Sequence, residues 1–214
     1  MRPGETKPVA PNRRLQQRAR RREAILRAAT DVFYERGLQS ATMDHVARRL
    51  GTSKVAIYRH FPTKESLVEA VLTRVVDRFV AAERRPWYGF ESALRHSLTL
   101  AREDAPAYLL LMRVSENDPS LARYAAEWRA LVYRTTEGRL ALLDHLTDVD
   151  PLLRAAAIKG VVDFLFSAVS FWIEHGAAAQ DEAWLSWVAQ SGRAILGWRT
   201  DAPFTAPLPP VIPD

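Results

Sequence analysis

Residues 42–67 read TMDHVARRLGTSKVAIYRHFPTKESL, and the parsing of this stretch decides the fold. Thr42 predicts the cap of a short helix in which Met43, Val46, Ala47 and Leu50 form one apolar stripe, and Gly51 ends it. Ser53 caps a second helix of about two turns that reaches Phe61. Pro62 stops it, since proline lacks an N–H and disfavours helical backbone in the residue before it. Thr63 then caps a long helix through Leu67, Val68, Val71, Leu72, Val75 and Phe79 to about Arg85. Two short helices around a tight glycine-containing turn make a helix-turn-helix pattern, whose second helix enters the DNA major groove.

The helical period sorts the second helix into faces. Ile57 and Phe61 are i, i+4 neighbours directed at a core, whereas Val55, Tyr58 and Arg59 share another face and Lys54 occupies the first turn. Lys54 and Arg59 are donors suited to guanine O6 and N7 or to phosphate, and Val55 is suited to a thymine methyl. Tyr58 and His60 offer donors to phosphate oxygens. Thr42 and Lys64 stand at helix starts, where backbone N–H groups and the dipole favour an anion. Met43 and Ser53, beside those starts, complete the candidate DNA-binding set together with Arg18 and Arg22.

The charge distribution agrees with a polyanion partner. Residues 1–64 hold 15 Lys and Arg against five Asp and Glu, while residues 65–214 hold 15 against 20. A basic N-terminal third on an acidic remainder predicts a small nucleic-acid-binding module attached to a larger body. RRLQQRARRR, residues 13–22, supplies an Arg-rich approach to phosphates or to a narrow minor groove. Arg at a helix start opposes the dipole, which favours a role in binding over one in helix stability.

The rest of the chain also reads as helices: about 17–36, 89–103, 105–115, 119–146, 150–175 and 181–199, with Pro86, Pro106, Pro119 and Pro151 near helix starts. The expected architecture is all-α. A flexible basic arm (1–17) precedes a helix-turn-helix domain (18–64) and a larger helical body (65–200). The tail 201–214, with five prolines in fourteen residues, is expected to be extended or disordered. The N-terminus has no apolar stretch of the secretory kind. The longest apolar run, Val161 to Ile173, is interrupted by Asp163 and is too short to span a bilayer. The expected setting is therefore cytoplasmic and nucleoid-associated, without a membrane partner.

Thr42, Val46, Ala47, Gly51, Ser53, Tyr58, His60, Phe61, Lys64 and Leu67 together resemble, in register, the DNA-binding segment of the TetR family of bacterial transcriptional regulators. The resemblance covers about residues 18–70; beyond them only the all-helical layout agrees. It implies phosphate contacts at Thr42, Tyr58, His60 and Lys64 and base contacts at Lys54 and Val55. It also implies a body that binds a small effector and dimerises through its last two long helices. Val55 stands where many members carry Gly, Ala or Pro, and Thr52 where Val is common. The first departure bears on operator preference and the second on packing.

In the body, the helix at 150–175 is apolar on nearly every side and so requires cover on both faces. The candidate dimer interface is Phe166, Val169, Trp172, Trp184, Trp187 and Ile195, with Gly160, Gly192 and Gly197 permitting close approach and Trp198 nearby. The candidate ligand-binding residues are Trp87, Tyr108, Met112, Trp128, Tyr133 and Phe164. Tyr88 is a further aromatic candidate, and Arg113, Arg134, Asp163 and His96 are candidates for meeting a ligand's charge. No catalytic or metal site and no cofactor is expected. Cysteine is absent, no His-x-x-x-His or nucleophile motif occurs, and Glu174–His175 and Asp144–His145 are adjacent helical pairs that point apart. The expected role is a ligand-responsive regulator, most simply a repressor. It would bind a palindromic double-stranded DNA operator as a homodimer and leave it on binding a small-molecule effector. The alternatives are a non-specific DNA-organising protein and a small helical enzyme.

Overall fold

The structure, a computed structural model, describes residues 13–117, 121–141 and 149–196, with the backbone alone for 114–117. Expectations on the arm before Arg13, on Pro119, His145, Gly197 and Trp198, and on the tail 201–214 lie outside the described residues. Among those described there are nine α-helices and no strand, so the all-α expectation holds. The chain divides into two compact units, the first ending at Val71 and the second beginning at Leu72. This division falls inside a helix rather than at the start of it, where the sequence placed the boundary.

The first unit contains α1 (Arg13–Arg36), α2 (Met43–Leu50), α3 (Lys54–Tyr58) and the first part of α4 (Lys64–Glu83). Helix α1 begins four residues earlier than periodicity suggested. Its first turns are exposed, so the helix propensity of Arg, Leu and Gln carries them without packing. Thr42 caps α2 reciprocally: its hydroxyl accepts from the His45 N–H and its own N–H donates to His45 Nδ1, each at 3.3 Å. Gly51 closes α2 at φ 65°, a left-handed conformation that costs glycine little. Thr63 and Ser66 make a second reciprocal box at 3.0 and 3.2 Å at the start of α4. Helix α3 is shorter than expected. Beyond Tyr58 the chain tightens, and the His60 and Phe61 N–H groups both donate to the Ile57 carbonyl. Ile25, Ala29, Phe33, Val46, Ile57, Phe61 and Leu67 are buried together as the core of this unit.

The second unit adds α5 (Phe90–Glu103), α6 (Ala105–Asn117), α7 (Ala122–Leu140), α8 (Pro151–His175) and α9 (Asp181–Ile195). Asp150 caps α8 through the Leu152 and Leu153 N–H groups, and Pro151 occupies its first position. On one side α8 packs against α5, α6, α7 and α9. Its Ile158, Val161, Val162, Phe166 and Val169 are buried, whereas Leu152, Leu153, Ala156, Gly160, Ser167 and Phe171 are exposed along the opposite side. The helix is 25 residues long with a mean hydropathy of 1.6 over its most apolar stretch, long and apolar enough by length and composition to cross a membrane. The expectation of a run too short for that considered only its central part.

Candidate nucleic-acid interface and effector cavity

The first unit presents α3 as the sequence anticipated. Ile57 and Phe61 are buried, while Val55 is 62% and Tyr58 41% exposed, so the outward face is Lys54, Val55, Tyr58 and Arg59. Lys54 Nζ donates to Asp44 Oδ2 at 3.0 Å, which brings an α2 carboxylate beside the first residue of α3. Ser53 is occupied as the α3 cap, accepting from the Ala56 N–H. Lys64 Nζ donates to the Gln39 carbonyl at 3.1 Å, which leaves an ammonium group further donors. Arg18, Arg21 and Arg22 of α1 lie near His60. Burial and these three guanidiniums hold the His60 imidazole below its ordinary range, hence neutral near pH 7. Arg22 also stacks over the Phe61 ring at 5.0 Å, and Arg21 donates to the Thr52 hydroxyl. The Arg-rich start of α1 is thus tied to the end of α3 and to the turn before it. Met43 is buried on the apolar stripe of α2, as its periodicity places it, which is at odds with its inclusion among the DNA-binding candidates.

The second unit contains a cavity among α4, α5, α7 and α8, lined by Phe79, Trp87, Phe90, Trp128, Phe166 and Val169 among others. The cavity's volume is about 90 Å³, several times what one water requires. Phe79, Tyr108, Trp128 and Phe166 form a ring cluster with centroid separations of 4.5 to 5.9 Å. Burial raises the Tyr108 hydroxyl to a pKa of about 12, and it accepts a hydrogen bond from Ser170. At the cavity's edge Arg139 Nη1 donates to Glu83 Oε2 at 2.9 Å and Nη2 to the Glu83 carbonyl at 3.0 Å. The same pair, with Trp87, Ser97 and Ala93, also lines an adjoining recess that contains Arg85, Tyr88 and His96.

Of the expected ligand residues, Trp87, Tyr108 and Trp128 line the cavity, and Met112, Tyr133 and Phe164 do not. Of the expected dimer residues, Phe166 and Val169 are buried inside their own subunit and line that cavity. Trp184 is buried and stacks on Trp172 at 5.3 Å, and Trp172 donates to Asp181. Trp187 and Ile195 face outward, 61% and 41% exposed. Helix geometry explains the exchange between Phe164 and Phe166: two residues apart means about 200° apart, so they belong to opposite sides. Gly192 meets Phe90 of α5 rather than an outside surface, whereas Gly160 is exposed. Of the four candidates for a ligand's charge only His96 adjoins the cavity. Arg113 pairs with Glu174, and Asp163 pairs with Lys159 and Arg129. The pair Glu83–Arg139 escaped the sequence reading, because 56 residues separate its members and only tertiary packing joins them.

Residues 25–71 match the family described as bacterial regulatory proteins, tetR family. The HTH-type transcriptional activator FasR of Mycolicibacterium smegmatis is 44% identical over 182 residues, covering 80% of this chain and 82% of that protein. The chain belongs to the TetR family. It is thus a transcriptional regulator and not an enzyme. Solved structures agree on the fold: a tetR-family regulator from Streptomyces coelicolor superposes with a TM-score of 0.64 at 20% identity, covering 84% of this chain and 81% of that one. FadR from Bacillus subtilis, solved in complex with stearoyl-CoA, superposes at 0.56 with 15% identity, over 78% of this chain and 97% of that one.

Proposed function

We propose that this TetR-family chain binds a palindromic operator as a homodimer and is released from it by a small, largely apolar effector held in the α4–α5–α7–α8 cavity. The observation that carries the reading is the outward face of α3, fixed from behind by buried Ile57 and Phe61. Lys54 and Val55 read base edges. Thr42, Ser53, Tyr58, His60 and Lys64 hold phosphates, and Arg59, Arg18 and Arg22 follow the backbone on either side. Met43 supports α2 from within.

The uncovered side of α8, with Leu152 at 77% and Phe171 at 62% exposure, is assigned to a second copy together with Trp187 and Ile195 of α9. Small residues at 156, 160 and 167 permit close helix approach there. Arg154, Lys159 and Asp163 within the helix argue against a bilayer, where each charge would be costly. Pairing two units supplies two recognition helices for two half-sites. An effector then acts by its difference in affinity for two spacings of those helices. This setting is the bacterial cytoplasm, with access to the nucleoid. Repression follows where the operator overlaps a promoter; a second reading, activation, is favoured by the relative named an activator.

Selection of bound duplexes from a random pool tests the DNA reading. The expected product is an inverted repeat whose half-sites lie about one helical turn apart. Enrichment of single, unrepeated sites would remove the homodimer, and absence of any enrichment would remove sequence-specific binding altogether. A reporter driven by the selected site separates repression from activation by the sign of its response to the protein.

A further inference from the structure

The recess next to the apolar cavity carries more positive than negative charge and holds two polar atoms without partners. Arg85 and Arg139 line it with a single carboxylate, Glu83, and His96. His96 Nε2 and Arg139 Nε are both buried and find no hydrogen-bond partner among the described residues. A buried donor without an acceptor costs free energy that an incoming acceptor recovers. The Arg139 side chain is only 8% exposed and Glu83 17%, so their ion pair sits where water screens it little. Both residues border the apolar cavity as well, so they form the seam between an aromatic chamber and a cationic recess.

We propose, building on the effector-cavity reading above, that the effector is an amphipathic acid. Its apolar body fills the chamber lined by Phe79, Trp128 and Phe166, and its anionic head lies in the recess, where it takes Arg139 from Glu83 and accepts from His96. The exchange replaces one carboxylate by another on the guanidinium, so no buried cation is stranded. Burial raises the Glu83 carboxyl above its ordinary range, against the pull of Arg139, and losing Arg139 raises it further, so the displaced group takes up a proton instead of remaining a buried charge. Arg85 stands at the exposed side of the same recess, where it attracts the anion. Burial and the Arg85 charge lower the His96 pKa, so the ring is neutral and presents an N–H at Nε2 in one tautomer.

Titration calorimetry of the full chain with octanoate, octanol and octylamine, each below its aggregation concentration, tests this assignment. Octanoate is expected to bind at least about tenfold more tightly than octanol, as a charge-assisted pair should, and octylamine more weakly than both. The variant Glu83→Leu/Arg139→Met removes the whole pair and leaves no lone buried charge, and it should reduce the octanoate preference to about twofold or less. His96→Leu should reduce it partly. Equal binding of octanoate and octanol would overturn the acidic head, while release of the selected operator by both would leave the apolar-effector reading standing. Preference for octylamine would make Glu83 the recognising group and overturn the assignment. So would an octanoate preference that survives the double substitution. Binding of none of the three would overturn both readings.

Discussion

Lys54 in the first unit and Arg139 in the second are each held by one carboxylate at nearly the same distance, 3.0 Å to Asp44 and 2.9 Å to Glu83. Their surroundings differ. The Lys54 side chain is 46% exposed and that of Arg139 8%. Water screens the first pair, so a DNA phosphate or guanine can replace Asp44 with little resistance. The second pair is shielded, and breaking it without replacement leaves an uncompensated charge. The exposed pair belongs to the surface proposed to engage and release a polyanion; the buried pair belongs to the seam proposed to open only to a group that can take the carboxylate's place.

The difference predicts its largest consequence at Arg139. Arg139→Met alone leaves the buried Glu83 carboxyl without its partner, to be protonated or kept charged at a cost, and should lose up to about 3–5 kcal/mol. The companion change Glu83→Leu should restore most of that loss. Chemical denaturation of the two variants measures both values, and a single variant as stable as the double would show the pair to be as loosely held as Lys54–Asp44.

Gly192 comes next. A Cβ added there would sit 2.4 Å from Phe90 Cζ and 3.3 Å from Val161 Cγ2. Phe90 is itself buried, so Gly192→Ala forces α9 away from α5, at about 1–3 kcal/mol. Gly160→Ala meets only Ile195 Cγ2 at 3.9 Å and, in the interior of α8, should stabilise the isolated subunit by about 0.5–1 kcal/mol. A fall in dimer affinity in Gly160→Ala, by sedimentation, would sharpen the assignment of the uncovered α8 side to a second copy.

These positions also mark how far the sequence could be read. The first unit was largely legible because its caps and faces are set by neighbours within three or four positions, Thr42 by His45, Thr63 by Ser66 and Tyr58 by its offset from Ile57, whereas the partners of Lys54 and Lys64 lie 10 and 25 residues away. Met43 was placed on the apolar stripe and also among the DNA-binding candidates; a helix start is exposed on one side only, and Met43 lies on the buried side. The body was legible as helices and not as a site. Helix α8 carries apolar residues on all sides, so composition offers no phase: Phe164 was assigned to the cavity and Phe166 to the dimer interface, whereas Phe166 lines the cavity and Phe164, half-buried, does not. The Glu83–Arg139 seam has no local signature at all, because α4 and α7 meet only through the tertiary fold.

His60 tests the exposed side of the comparison by pH. Its folded-state pKa is lowered by burial and by Arg18, Arg21 and Arg22, so the folded unit binds this proton less readily than the unfolded chain does. Stability from this group is therefore full above the unfolded value near 6.5 and declines as pH falls through it. A phosphate placed against His60 reverses the preference and favours the protonated ring. Operator binding should accordingly take up a proton at pH values between the lowered pKa of the free folded unit and the higher pKa of the complex, and His60→Gln should abolish that uptake. Calorimetry in buffers of different ionisation enthalpy reads it directly; an unchanged uptake in His60→Gln would remove His60 from the phosphate contacts.

The smallest effect is expected at Asp44, and it bears most directly on the exposed pair. Asp44 holds the Lys54 ammonium within α2 and α3, and raises its pKa chiefly through their hydrogen bond. Asp44 is also the acidic residue in the first turn of α2, near the cap where a phosphate is proposed to lie. Asp44→Asn keeps a hydrogen-bond acceptor for Lys54 and removes a negative charge from the DNA side. Fold stability should change little, because the pair is screened and both side chains are about half exposed. Affinity for the selected operator and for unrelated duplex should both rise modestly, with the larger gain for unrelated duplex, since a less tethered lysine finds phosphates anywhere. The ratio of the two affinities, measured at one salt concentration, decides the point. An unchanged ratio would mean that Asp44 only weakens binding, whereas a reduced one would make this carboxylate part of how the chain distinguishes its operator.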